Sequence, residues 1–186
     1  MKYITLLCWG CFFLCCACGN SELNDLENVA LQDAVGIERA TDVEILYSDS
    51  AVVRVAVVAE VLLRNTDKKK PKNVFPKGLN ADFFDENHRQ TSKLTAMYGE
   101  QSMKERVVYL KDSVRIWNYK KEMLETDELT WDERNKIISS TKFVRITTAT
   151  QIIEGTGFKS NLEFTDWEIY EVSGLIESEN LVEVPF

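Results

Sequence analysis

From Thr41 onward, apolar and polar residues alternate along the chain. Ala51–Leu63 shows this most clearly. Its odd positions Ala51, Val53, Val55, Val57, Ala59, Val61 and Leu63 are all apolar, while Arg54 and Glu60 fall between them. Successive side chains of an extended chain point to opposite faces, so a period of two predicts a long strand with one buried face. A helix would scatter the two charges and crowd its β-branched side chains. The same alternation predicts strands at Val43–Tyr47, Leu79–Phe84, Lys93–Tyr98, Arg106–Leu110, Val114–Trp117, Met123–Trp131, Phe143–Thr147, Ile152–Phe158 and Trp167–Val172. Turn-forming clusters separate them at Asp85–His88, Lys111–Ser113 and Asp132–Asn135. Pro71 and Pro76 flank a loop.

The strands repeat. Leu94-Thr95-Ala96 recurs as Leu124-Glu125-Thr126 and again as Ile153-Glu154-Gly155, and Val114-Arg115-Ile116 recurs as Val144-Arg145-Ile146. Two strands in each period of about thirty residues build a stack of β-layers rather than an α/β enzyme. Leu124 and Leu129 are out of phase, and a bulge near Asp127 would return both to the inner face.

The N-terminus reads as an address. Lys2 precedes an uncharged, mostly apolar stretch, Tyr3–Ala17, which has the length of a secretory signal and is short for a spanning helix of about 20 residues. It ends Leu14-Cys15-Cys16-Ala17-Cys18, in the form of a bacterial lipoprotein signal with Cys18 as the lipidated residue. Leucine stands one position early for that pattern, which leaves Cys16 as a competing site and an uncleaved signal-anchor helix as the alternative anchor. Residues 1–17 are then a signal peptide, 18–40 an acidic linker, 41–175 the β-domain and 176–186 a tail.

All five cysteines lie at or before Cys18, so the body has no internal disulfide, thiolate metal cluster or Cys nucleophile. With 45% hydrophobic and 28% charged residues the body is globular. A net charge of -8 argues against nucleic-acid binding by phosphate neutralisation. The single histidine, His88, argues against a His-based catalytic or metal centre and reads as a turn residue. No cofactor is expected.

Several segments in order resemble a known family: Leu46–Ser50, Phe75–Leu79, Phe83–Glu86 with Thr91–Tyr98, Leu124–Asp132, Lys142–Thr147 and Ile153–Phe158. Together they are similar to the LptC family of lipopolysaccharide-export proteins, within the OstA-like jellyrolls, over about Asp42 to Gly174. The resemblance implies an open, all-β jellyroll of stacked antiparallel strands with an apolar interior and no covalent chemistry. It implies a protein at the periplasmic face of the inner membrane that takes lipopolysaccharide from an ABC transporter complex. It also implies onward transfer to an LptA-like bridge protein by edge-strand pairing, the upstream edge near Val43–Tyr47 and the downstream edge within Phe158–Val172. The lipidated Cys18 departs from the N-terminal helix usual in the family, and the stretch Met103–Leu110 departs from its strand pattern.

Alternation and the resemblance together nominate a lipid-binding trough. Its candidate lining is Val53, Val55 and Val57; Leu79 and Phe83; Leu94 and Tyr98; Val114 and Ile116; Leu124 and Leu129; Val144 and Ile146; and Phe158. An ordinary filled core is the competing reading of the same residues. Lys68–Lys70 with Lys72 could meet lipid phosphates or stand as a solvated loop. Gly155 and Gly157 lack the context of a phosphate loop and read as a bulge or close backbone approach. Two alternatives remain: a glycan-binding or scaffolding β-sandwich lipoprotein, and a glycosidase using a carboxylate pair such as Asp127 and Asp132.

Overall fold

The computed structural model describes residues 36–177. The signal peptide, the lipid-attachment residue Cys18, most of the linker and the end of the tail lie outside them. Eleven strands follow one another: β1 (Ile37–Asp49), β2 (Val52–Asn65), β3 (Lys72–Phe75), β4 (Leu79–Phe84), β5 (Gln90–Ala96), β6 (Tyr98–Ser102), β7 (Val107–Asn118), β8 (Met123–Asp132), β9 (Ile137–Thr147), β10 (Gln151–Asn161) and β11 (Trp167–Glu177). All pair antiparallel in one sheet, an open jellyroll with β1 and β11 as its edges. β1 begins inside the segment read as linker, and β11 runs two residues into the segment read as tail.

The sheet is bent along one line. β2 pairs through Val55–Val58 with β4 and through Leu63–Asn65 with β3. β7 pairs through Arg115–Asn118 with β5 and through Val107–Lys111 with β6. β3 with β4, and β5 with β6, are thus each one strand broken at a corner. On β7 the corner is Asp112 and Ser113, both left-handed, and the Met97 amide donates to Asp112 O across it at 3.0 Å. Pairing slips at the same level between Thr126 and Thr130 of β8 and between Thr156 and Phe158 of β10. Gly157 sits there with φ +78, where a Cβ would meet the Tyr170 ring. Corners leave ladder groups unpaired, and two buried hydroxyls take them up. Thr126 Oγ1 donates to Phe143 O at 2.8 Å, and Ser140 Oγ donates to Glu128 O at 2.7 Å.

The bend explains where the sequence expectations part from the structure. Lys93–Tyr98 is not one strand, because Met97 turns the corner. Lys111–Ser113 is a kink within β7 and not a turn between two strands. β3 occupies the expected loop between Pro71 and Pro76, and β9 begins at Ile137, ahead of the apolar run at Phe143. The slip expected near Asp127 is present, and both Leu124 and Leu129 face the core.

The repeats mark the bend. Leu94, Ile116, Leu124, Ile146 and Ile153 are successive register partners across β5, β7, β8, β9 and β10. On the outer face Arg115–Glu125 and Arg145–Glu154 form ion pairs at equivalent positions.

Candidate functional site

The bend divides the sheet into a β4–β5 half and a β3–β6 half, and the core lies between them. Twelve of the fourteen trough candidates are buried there: Val55, Val57, Leu79, Phe83, Leu94, Val114, Ile116, Leu124, Leu129, Val144, Ile146 and Phe158. They belong to one continuous apolar cluster. Val53 is half-buried near the outer end of β2. Tyr98 requires correction as an inward residue. Met97 shifts the alternation, so Gly99 and Gln101 are the buried positions of β6. The Tyr98 hydroxyl instead donates to Glu100, which pairs with Lys72.

These buried side chains form one cluster that bridges the two halves. Of the fourteen, Val55 and Phe83 line an open cleft of about 400 Å³ where the outer ends of the halves face each other. This volume is within the range of about 300–1,000 Å³ typical of small-ligand sites. Tyr47, Trp131 and Leu162 complete its apolar floor. Trp131, on the β3–β6 half, meets Phe83 and Tyr47 of the other half edge-to-face at centroid distances of 5.5 and 6.0 Å. The rim carries Arg54, Arg106, Arg134 and Lys136 against Asp49, Glu133 and Glu163. Lys136 Nζ reaches Asp49 at 3.0 Å across the mouth, and that bond holds the Asp49 carboxyl below its usual range.

Behind the floor lies a polar patch. Asn73 Nδ2 donates to Gln101 Oε1 at 2.8 Å, and Gln101 Nε2 donates to Glu133. Burial pushes the Tyr47 phenol up to about 12; the Glu133 carboxylate adds to the rise, and a Gln101 hydrogen bond opposes it. The indole N–H of Trp131 has no protein partner. Unpaired buried donors are uncommon, and this one belongs to a side chain that lines the cleft.

Sequence reasoning left Tyr47 and Leu162 out of the lining and read Trp131, with Trp117 and Trp167, only as packing in the jellyroll or ringing its rim. Tyr47 continues the Val43–Ile45 alternation and Trp131 continues from Leu129, so both carried a signal. Leu162 lies between strands and carried none.

The other candidates fall into structural roles. Lys68–Lys70 are exposed, while Lys72 is paired on β3. His88 takes a left-handed turn position between β4 and β5. Asp132 accepts from the Asn135 amide at 2.9 Å, a bond that lowers its pKa. Among the described residues no group of three His, Cys, Asp or Glu could hold a metal, and no helix is long and apolar enough to cross a membrane.

The fold and cleft define an open jellyroll with an apolar interior and a slot between its halves. A family model described as lipopolysaccharide-assembly, LptC-related matches residues 77–177, and the chain belongs to that family. Its role is thus in lipopolysaccharide transport, and the family is associated with the periplasmic side of the inner membrane. No curated protein matches the chain.

Proposed function

We propose that this jellyroll accepts lipopolysaccharide from an inner-membrane ABC transporter complex and relays it to an LptA-like periplasmic bridge protein. Lipid acyl chains enter at the cleft, and Val55 and Phe83 meet them first. The other buried candidates, Val57, Leu79, Leu94 and those from Val114 through Phe158, come into contact as the two halves part. Val53 stands at the entrance. The observation that carries this reading is the continuity of the cleft floor with the apolar core. Each CH₂ leaving water there contributes about 0.8 kcal/mol, while sugars and phosphates stay at the charged rim. Among the described residues β1 and β11 end the sheet without outer partners, and edge strands of this kind pair readily with another sheet. Lipidated Cys18, or a signal-anchor helix in its place, holds the protein at the membrane.

The test is photocrosslinking in lipopolysaccharide-producing cells, with the probe at Val55, Phe83 or the exposed outer-face Tyr109. Adducts at the first two and none at Tyr109 are expected. Equal labelling at all three, or none with the protein folded, overturns the lipid interior. The second result would bring glycan binding or scaffolding forward.

A further inference from the structure

The connection between β10 and β11 turns one residue, Phe164, inward, while its neighbours stay half-buried or exposed as loop residues ordinarily are. It leaves the β3–β6 half and crosses to the β4–β5 half. Ser92 Oγ, near the start of β5, donates to Leu162 O at 2.9 Å. Asn118 Nδ2, at the end of β7, donates to Phe164 O at 2.6 Å. Arg54 of β2 pairs with Glu163 at 3.7 Å. All three partners belong to the opposite half.

Phe164 is a loop residue, yet it is 0% exposed. Its ring meets Phe158 at a centroid distance of 6.0 Å and Trp167 at 6.4 Å. Its backbone is left-handed, with φ 52, a conformation a bulky residue keeps only where its surroundings hold it. Asn161 shapes the loop: its Oδ1 accepts from the Thr165 amide at 3.0 Å and the Asp166 amide at 3.3 Å. Asn118 is 0% exposed, and its Oδ1 also accepts the Lys120 and Glu122 amides. Leu162 and Glu163 line the cleft itself.

We propose that Leu162–Asp166 is a clasp across the slot, and that a lipid chain enters the interior by displacing Phe164. The exchange sets one apolar group in the place of another, so the interior stays filled. Of the bonds given up, Arg54–Glu163 lies at the mouth, whereas the Asn118 bond to Phe164 O is buried and is the larger cost of the exchange. This inference rests on the lipid-carrier reading and adds how access to the interior is controlled.

The experiment is hydrogen exchange on the full chain in detergent, with and without rough-type lipopolysaccharide. Bound lipid is counted by native mass spectrometry. Lipid binding should speed exchange of the Phe164, Thr165 and Asp166 amides several-fold, while Leu124 and Ile146 in the core remain protected. A second arm places cysteines at Arg54 and Glu163 and bridges them with a short bismaleimide. The bridge should reduce lipid loading several-fold relative to the unbridged protein. Ser92→Ala, a mild change at the clasp, should raise the rate of loading. Lipid that binds while the three amides keep their protection, or a bridged protein that loads normally, overturns the clasp and leaves the carrier reading intact. No lipid on any form overturns the carrier reading itself.

Discussion

Tyr47 sits half-buried on an edge strand, with its ring against Trp131 and its phenol near Glu133. Its pKa, raised from 10.0 to about 12, means that the folded state favours the neutral phenol. The stability this provides is fully present below the ordinary value and is lost as pH rises through the folded one. Urea midpoints should therefore fall more steeply between those values for the native protein than for Tyr47→Phe. Parallel denaturation series check this, and equal slopes would count against a buried phenol. Deeper in the core, Leu124 is 0% exposed, and Leu124→Ala should cost about 2–5 kcal/mol by chemical denaturation. Leu124 was legible because alternation shows which residues share a face. Tyr98 was misplaced because alternation fails wherever the chain turns a corner, and nothing in Tyr98 itself marks the corner at Met97.

At the scale of the strand, the corner is the feature that alternation conveys least. Near Asp127 two leucines fall out of phase and expose it. At Asp112–Ser113 polar turn residues mimic a chain reversal, although pairing on both sides shows one bent strand. β3 was hidden by its flanking prolines, and its four residues are too few for a period to show. The corner also sets a specific energetic expectation. Thr126 and Ser140 supply hydrogen bonds to carbonyls that the broken ladder leaves open, and their hydroxyls are 3.4 Å apart. Ser140→Ala and Thr126→Val should each cost about 1–3 kcal/mol, because a carbonyl is left without its donor. The double variant should cost less than the sum, since neighbours in one network are not additive. Denaturant midpoints of the four proteins measure the coupling. A purely additive result would mean the two hydroxyls support the corner independently.

Strand order as a whole was not legible, but from β5 onward the repeat prints equivalent levels of the layers into the sequence. Leu94, Leu124 and Ile153 mark equivalent levels of β5, β8 and β10, while the strands ahead of β5 carry no such mark. Of the segment proposed as the downstream edge, Phe158 lies in β10, between β9 and β11, and Trp167–Val172 lies in β11, which among the described residues has no strand beyond it. The direction of lipid flow has no counterpart in periodicity, since both edges alternate alike. Their surfaces do differ. β11 exposes Val172, Leu175 and Ile176, whereas β1 exposes Leu46 among polar neighbours. If β11 meets the bridge protein, Val172→Glu with Ile176→Glu should leave lipid bound here and reduce its appearance on the bridge several-fold. If β1 meets the transporter, Leu46→Glu should reduce loading at the first step. Crosslinking probes on this chain and on the bridge, read in the same cells, separate the two. A reversed pattern would exchange the two edges. Normal transfer through both variants would remove edge pairing from the mechanism and return attention to the cleft, the remaining route by which a lipid could leave.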